Sequence, residues 1–226
     1  MAKKIIRKKQ RNRSTNWPVI FGVIALGVIG LLALLFISIQ PKEIVSLADR
    51  CAENEMACVE VGQEDAPITM VEVLDFGCPH CRDFHDQTAS NIQQVYVKTG
   101  DVKFVYFPYA LSAQTVPATN ASLCAQEQGA YTDYADTLFN RFDESDTLTT
   151  SGLLAAASDL GLDMDTFTTC VNDGRYNSLI QDNIDIARSN GINSTPTFVL
   201  NGKILVGALP FANFQAEIQS LLAQSG

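Results

Sequence analysis

The sequence predicts an α/β fold, a sheet interrupted by an all-helical insertion, with one transmembrane helix in front of it. Two strand-like segments flank a helix before the insertion, and a hairpin with a last helix follows it. A long alanine-rich segment with helical periodicity separates these two parts. An apolar stretch without charges near the N-terminus predicts the transmembrane helix.

Length and charge set the first limits on function. The chain has 226 residues, which fits one domain with an appendage, and its 46% hydrophobic content excludes a wholly disordered protein. Residues 1–13 carry seven basic side chains and no acid, whereas residues 14–226 carry nine basic and 25 acidic ones, a net charge of −16. Because such a body repels phosphates, we expect no nucleic-acid partner.

Residues 17–39 are predicted to form the transmembrane helix. The 22 residues of 18–39 are uncharged and almost wholly apolar, and as a helix they span about 33 Å, close to the thickness of a bilayer core. A cleaved signal peptide would have a shorter apolar region and a better cleavage site than 37–41. A lipid anchor at Cys51 is disfavoured because Asp49 and Arg50 precede it.

The basic cluster predicts the orientation of this helix. Positive residues stay on the cytoplasmic side, so residues 1–16 form a basic cytoplasmic tail and Trp17 lies at the inner interface. A linker, 40–58, then connects the helix to an extracytoplasmic domain, 59–226. The sequence thus predicts a single-pass cell-membrane protein that contacts the lipid bilayer through its N-terminal helix.

The first half of the domain contains two predicted strands. Residues 68–76 are mostly β-branched and apolar, with Glu72 inside the run and Asp75 near its end, which is typical of a buried strand. Pro79 suits the first turn of a helix that runs to about Thr99. After a turn, residues 102–107 form the second strand, which ends at Pro108.

The second half begins with the helical insertion, at about 110–190. Breaks at Gly129, 143–146, Gly161 and Gly174 divide it into four or five short helices whose periodicity indicates core packing. Strand character then returns at 197–200, and Asn201-Gly202 predicts a hairpin to a strand at 203–206. A last helix is predicted from Pro210 to about Ala223.

Cys78-Pro79-His80-Cys81 is the strongest chemical motif, because it follows a buried strand and opens a helix. Free N–H groups at the helix N-terminus stabilise a thiolate at Cys78, so its pKa is expected to be low. His80 adds to this if it is protonated or donates a hydrogen bond to the sulfur. The alternatives are an inert disulfide or half of a zinc site with a ligand such as His85, and we predict neither a metal nor another cofactor.

Two acidic residues lie in the strand before the motif. Glu72 is six residues before Cys78, and a carboxylate inside an apolar strand is costly unless it is neutral or paired. Beside a redox pair it could accept or return a proton through water; the alternative is that it faces solvent at a sheet edge. Asp75 is close to the end of the strand and is predicted to be exposed.

Thr195-Pro196 precedes the strand at 197–200. Proline belongs at the start or edge of a strand, and an X-Pro bond adopts the cis form far more readily than other bonds do. A cis bond would aim the backbone of Thr195 at whatever lies before it, whereas the alternative is an ordinary turn proline.

From about Val59 to Leu222 the chain resembles the DsbA-type thiol:disulfide oxidoreductases, which have a thioredoxin-like fold with a helical insertion. The resemblance rests on 71–81 (VEVLDFGCPHC), 123–125 (LCA) and 194–203 (STPTFVLNGK). It implies that Cys78 is the nucleophile and Cys81 its resolving partner, with Glu72 as the buried carboxylate. It also implies that Pro196 is a cis-proline beside the redox pair and that Thr195 binds the substrate backbone.

The other four cysteines allow three connectivities if Cys78 and Cys81 pair with each other. Cys124 and Cys170 both lie in the insertion, and the resemblance supports a structural bridge between them. Cys51 and Cys58 would close a small loop, either as a staple or as a second redox relay, and the family supplies no role for them. Six cysteines on an outward-facing body agree with an oxidising compartment.

These features predict an enzyme that introduces disulfides into exported proteins. The resemblance implies reduced exported polypeptides as substrates and a quinone-linked membrane partner, of the DsbB or vitamin-K-epoxide-reductase type, as the reoxidant. Two alternatives remain open: a reductase or isomerase on the same fold, and a copper-binding module that uses Cys78, Cys81 and His80 as soft ligands.

Overall fold

The structure, a computed structural model, describes residues 26–27 and 46–225. The predicted cytoplasmic tail, most of the predicted transmembrane helix and the start of the linker lie outside these residues. Within the described part of the chain, no helix has the length and apolarity needed to cross a membrane. The chain divides into two units, Met1–Glu43 and Ile44–Gly226, and the fold described below is that of the second.

Five strands form one mixed sheet in the described residues. Their bounds are Val59–Val61 (β1), Ile68–Leu74 (β2), Val102–Pro108 (β3), Thr197–Leu200 (β4) and Lys203–Val206 (β5). The order across the sheet is β1-β3-β2-β4-β5, with β2 and β3 parallel and the other pairs antiparallel. The strand that precedes the CxxC motif is therefore the central one.

The alternation of side chains along β2 explains its composition. Met70 and Leu74 belong to the core on one face of the sheet, and Val71 and Val73 belong to the core on the other. Both faces are covered, so β2 is apolar at almost every position. Glu72 is on the same face as Met70 and Leu74, opposite Tyr106 of β3 and Phe198 of β4.

One long helix, α2, starts at the CxxC motif and covers residues 79–97. It alternates between α-helical and π-helical turns, in the order Pro79–Phe84, His85–Ala89, Ser90–Ile92 and Gln93–Val97. The C-terminal helix, α8 (Phe211–Ser225), follows the β4–β5 hairpin. Phe84, Phe198 and Phe214 are in mutual contact, with ring centroids 4.5–5.6 Å apart, and join α2, β4 and α8.

The insertion contains five helices in the described chain, and the glycine and acidic breaks fall between them. They are Val116–Gln126 (α3), Tyr131–Asn140 (α4), Thr150–Asp159 (α5), Met164–Asp173 (α6) and Asn177–Ser189 (α7). Side chains of Thr149 and Asp163 cap α5 and α6, and Gly174 ends α6 in the left-handed conformation. Helical periodicity and these end signals are enough to predict the helices from the sequence, because the hydrogen bonds of a helix join residues that are close in sequence.

Residues 46–58, which the sequence placed in the linker, are part of the folded body. Leu47–Glu53 forms α1, capped by the Ser46 side chain, and Leu47 and Cys58 are buried. The side chain of Asn183 in α7 donates to the carbonyl of Ala57 at 2.9 Å and holds this segment against the sheet. A seven-residue helix and a three-residue strand are too short to show a clear hydrophobic period, which is why the sequence indicated only a short structured piece here.

Two disulfides fasten the fold, and they close loops of very different length. Cys124–Cys170 joins α3 to α6 across 46 residues, and Cys51–Cys58 joins the end of α1 to the start of β1 across 7. Chain-entropy arguments assign about 4 kcal/mol to the long loop and about 2.5 kcal/mol to the short one.

We predict that replacing Cys124 and Cys170 with alanine lowers the free energy of unfolding more than replacing Cys51 and Cys58 does, by about 1.5 kcal/mol. Both variants remove two buried sulfur atoms, so each is a control for the loss of packing in the other. Urea unfolding of the full-length chain, followed by circular dichroism, measures the difference. An equal or larger loss for the short loop would contradict the loop-closure argument.

Candidate active site

Cys78 occupies the position just before the first turn of α2. Its backbone is extended, and its carbonyl accepts the first helical hydrogen bonds, from the N–H of Cys81 at 3.1 Å and of Arg82 at 3.2 Å. Pro79 at the first helical position has no N–H to leave unsatisfied, and its ring presets the helical dihedral angle. The local sequence therefore puts a sulfur atom at the positive end of a helix.

The thiol of Cys78 has a low pKa. Its pKa falls from the ordinary 9.0 to about 6, chiefly because the Cys81 side chain forms a hydrogen bond with its sulfur. Burial acts in the opposite direction, whereas the backbone N–H groups of Cys81 and His80 lower the pKa further. Roughly nine-tenths of Cys78 is thus thiolate at pH 7.

The pKa of Cys81 is shifted in the direction opposite to that of Cys78. Cys81 is fully buried, and its pKa lies well above 9.0 because of burial, its hydrogen bond to Cys78 and the negative charge of Glu72. Both cysteines are free thiols in this structure. The pair thus consists of one ionised, partly accessible sulfur and one protonated sulfur beneath it.

The side chain of His80 lies on the surface beside Asp83. It is 70% exposed, and its Nδ1 lies 3.6 Å from a carboxylate oxygen of Asp83, so its contribution to the thiolate comes from the backbone N–H. The sequence analysis predicts that the imidazole itself assists Cys78, but no contact between the imidazole and the Cys78 sulfur supports this prediction. In the described residues, no group of three or more His, Cys, Asp or Glu side chains is arranged to hold a metal ion.

Thr195-Pro196 lies directly against the redox pair. The peptide bond between the two residues is cis. The Cys78 thiol donates to the Thr195 carbonyl at 3.2 Å, and the Thr195 hydroxyl is buried without a hydrogen-bond partner among the described groups. The tertiary fold therefore brings the loop before β4 to the start of α2, 117 residues earlier in the chain.

Glu72 is fully buried on the central strand, and its alternative placement at a solvent-exposed edge is wrong. Its Oε2 lies 3.3 Å from Nε2 of His85, on the second turn of α2. His85 Nε2 and both Glu72 oxygens are buried and have no hydrogen-bond partner among the described groups. The two side chains are in contact inside the core, and they form an ion pair when His85 is protonated.

His85 is the site residue that sequence reasoning missed. From the sequence, His85 is only a possible ligand in the alternative zinc site, although it lies four residues after Cys81 and seven after Cys78. That spacing places all three on one face of a helix, which is the signal that would have connected it with the redox pair.

Asp75 is buried, so the prediction that it is exposed is wrong. Its carboxylate accepts hydrogen bonds from the N–H of Gly77 at 2.6 Å, the N–H of Leu111 at 2.5 Å and the hydroxyl of Thr115 at 2.7 Å. The residue ties the loop before Cys78 to the start of the insertion. A position near the end of a strand did not imply exposure, because the insertion folds over that end.

The other four cysteines pair as Cys51–Cys58 and Cys124–Cys170. Cys51 and Cys58 belong to the core on the sheet face opposite that of Cys78 and Cys81. The sheet therefore separates this bridge from the redox pair.

The combination of a thiolate at a helix start, a buried second thiol and an adjacent cis-proline matches a known architecture. The family model for thioredoxin matches residues 53–220 of this chain. The chain belongs to the thioredoxin family. The matched residues include both cysteines of the CxxC motif and the Thr195-Pro196 peptide.

Three relatives show how far the likeness extends. The chain is 24% identical over 168 residues to disulfide bond formation protein D of Bacillus subtilis, which covers 72% of this chain and 76% of that protein. It is 31% identical over 172 residues to Na(+)/H(+) antiporter NhaA 3 of Salinispora tropica, covering 73% of this chain but 24% of the antiporter, so it spans about a quarter of that relative. The crystal structure of alpha-DsbA1 of Wolbachia pipientis has a TM-score of 0.68 at 24% identity and covers 74% of this chain and 92% of that one.

We predict that Cys78 reacts with iodoacetamide with a half-titration point at about pH 6, whereas Cys81 stays unreactive to above pH 9. Cys81→Ala removes the largest cause of the low pKa, so the half-titration point should rise by more than one pH unit. Mass spectrometry of the alkylated chain over a pH series measures both values.

His80→Ala is the matched comparison, because it removes an exposed imidazole and keeps the backbone N–H. Its shift should be smaller than that of Cys81→Ala. A larger shift would mean that the imidazole, and not the second thiol, stabilises the thiolate.

Proposed function

We propose that the protein is an extracytoplasmic dithiol oxidase, which introduces disulfides into exported proteins through Cys78 and Cys81. The observation that carries this proposal is the contrast between the two thiols, with the pKa of Cys78 at about 6 and that of Cys81 well above 9.0. A stabilised thiolate favours the reduced enzyme and makes its disulfide a stronger oxidant.

The reaction proceeds by two thiolate attacks. A substrate thiolate attacks Cys78 in the oxidised pair, the Cys78–Cys81 bond breaks, and a mixed disulfide forms while the Cys81 sulfur leaves. A second thiolate of the same substrate then attacks the sulfur of the first, and Cys78 leaves as a thiolate. The substrate thus gains a disulfide, and the enzyme gains two electrons and ends as a dithiol.

The two leaving sulfurs have different proton requirements. Cys78 departs readily because its thiolate is stable at neutral pH. Cys81 has a raised pKa and needs a proton as it leaves, and Glu72 is close enough for its charge to affect that pKa. We infer that Glu72 exchanges this proton with Cys81, through water, in both directions of the reaction.

The substrate chain binds where the redox pair meets the cis-proline loop. The Thr195 carbonyl already contacts Cys78 and has lone-pair capacity for a backbone N–H of an extended chain. Pro196 holds this carbonyl next to the sulfur. Reduced exported polypeptides are thus the proposed substrates, consistent with the name of the Bacillus subtilis relative.

Location and reoxidation complete the proposal. The charge-free stretch 18–39 behind a basic N-terminus supports a membrane tether with the catalytic domain outside the cytoplasm. The two structural disulfides agree with an oxidising compartment. A quinone-linked membrane protein, of the DsbB or vitamin-K-epoxide-reductase type, is the proposed reoxidant.

Cys78→Ser is expected to abolish oxidation of a reduced, unfolded protein that contains two cysteines, because the attacked sulfur is lost. The assay follows the disappearance of free thiols after mixing with the oxidised full-length protein. Undiminished oxidation by the variant would refute the proposed function.

The double variant Cys51→Ala/Cys58→Ala is the control, since it removes a disulfide from the other face of the sheet. It should oxidise the substrate at the rate of the unsubstituted protein. A folded control variant without activity would instead show that this bridge is a redox relay.

We expect the reduction potential of the Cys78–Cys81 pair to lie above about −180 mV, as required of an oxidase. The low pKa of Cys78 contributes about 1.4 kcal/mol at pH 7, equivalent to about 30 mV in the oxidising direction. Equilibration with glutathione buffers of known ratio measures the potential. A value near −270 mV would indicate a reductase.

A further inference from the structure

A solvent-open pocket of about 590 Å³ lies between α2 and α4, away from the CxxC motif. Polar groups dominate its lining, and it is bounded below by Tyr106 of β3. Its lining includes His85, Asp86, Gln94, Tyr106 and Asp136. The pocket is therefore a place where water reaches the edge of the buried site.

His85 lines the pocket and also contacts Glu72. Its side chain is only 6% exposed, and its Nε2 lies 3.3 Å from Glu72 Oε2, whereas Glu72 itself is fully buried. The ring stacks on Phe139, with centroids 4.4 Å apart, and meets the edge of Phe84 at 5.5 Å. These contacts fix the imidazole between the pocket and the carboxylate.

Several charged or titratable groups face His85 from the surrounding elements. Burial lowers the pKa of His85, but the charge and contact of Glu72 and the charges of Asp136 and Asp86 together raise it above 6.5. Tyr106 and Tyr131 stay protonated because burial and the charges around them raise their pKa values. Lys98 lines the outer part of the pocket and is exposed. Of these groups, His85 is the one whose ordinary pKa is closest to neutral pH, and its surroundings raise that pKa.

We propose that His85 carries protons between the water of this pocket and Glu72, and so supplies the proton that Cys81 gains or loses during disulfide exchange. The proposal rests on the proposed function. Glu72 has no exposed surface, and neither of its oxygens has a hydrogen-bond partner among the described groups, so it needs a neighbour to exchange protons with solvent. His85 acts through Glu72 and is a positioning residue rather than a catalytic one.

The proton path is clearest when Cys81 attacks a mixed disulfide on Cys78. Cys81 transfers its proton to Glu72, and its thiolate attacks the Cys78 sulfur. The Cys78–Cys81 bond forms, the bond from Cys78 to its partner breaks, and the partner leaves as a thiolate that takes a proton from solvent. Neutral His85 accepts this proton from Glu72 at Nε2 and releases one to the pocket, so charge and protons balance and no external oxidant is needed.

The test uses full-length protein that carries glutathione on Cys78 as a mixed disulfide. Release of glutathione measures the attack by Cys81. His85→Ala is expected to slow release at neutral pH by at least about tenfold, since positioned acid–base groups typically contribute 10²–10⁴. Because the truncated side chain opens towards the pocket, imidazole in the buffer should restore the rate, with a pH dependence that follows the pKa of imidazole.

Three further variants make the result specific. Gln94→Ala changes the exposed rim of the same pocket and should leave the rate unchanged. His85→Gln fills the site without titrating, so it should be slow and insensitive to imidazole, and it serves if His85→Ala does not fold. Glu72→Gln should be slow and should gain nothing from imidazole, because the next group in the path is missing.

Two results would overturn the inference. One is a release rate in His85→Ala and His85→Gln within twofold of the unsubstituted protein. The other is a slowed His85→Ala that imidazole does not accelerate. If the unsubstituted protein itself releases no glutathione, the redox pair is inert and the proposed function fails instead.

Discussion

A thiolate at the N-terminus of α2 is the feature on which the rest of the site depends. Backbone N–H groups of the first helical turn and the Cys81 thiol converge on Cys78, and together they outweigh the cost of burying a charge. That convergence requires a fixed junction between β2 and α2. Asp75 provides it with three hydrogen bonds, to Gly77, Leu111 and Thr115, which bind the junction to the insertion.

The same core that holds the thiolate also holds a carboxylate. Glu72 lies between Met70 and Leu74 on an apolar face of the sheet. A charge without a partner would cost several kcal/mol at this position. His85 offsets that cost when it is protonated, and it lies between the carboxylate and a solvent-open pocket. The arrangement gives the buried thiol of Cys81, whose pKa is high, a nearby group that can hold its proton.

The insertion and the N-terminal segment frame this centre in different ways. The Cys124–Cys170 bridge joins two insertion helices. It also restricts the conformational freedom of the insertion in the unfolded chain, which favours the folded state. The Cys51–Cys58 bridge fixes α1 on the opposite face of the sheet, where it contacts α7 through Asn183. Of the two bridges, Cys124–Cys170 belongs to the same core cluster as Cys78 and Cys81, whereas Cys51–Cys58 belongs to the other cluster.

The sequence by itself determined the strands around Glu72, the helix that begins at Pro79, the division of the insertion into short helices and the place of Cys78 and Cys81 at a strand–helix boundary. Each of these depends on local signals: apolar runs, glycine breaks, a turn dipeptide and a CxxC motif at a strand–helix boundary. Tertiary structure alone decided the burial of Asp75, the pairing of Glu72 with His85, the approach of Thr195 to Cys78 and the packing of residues 46–58. These depend on contacts between segments distant in sequence, and no local pattern encodes which buried group meets which partner.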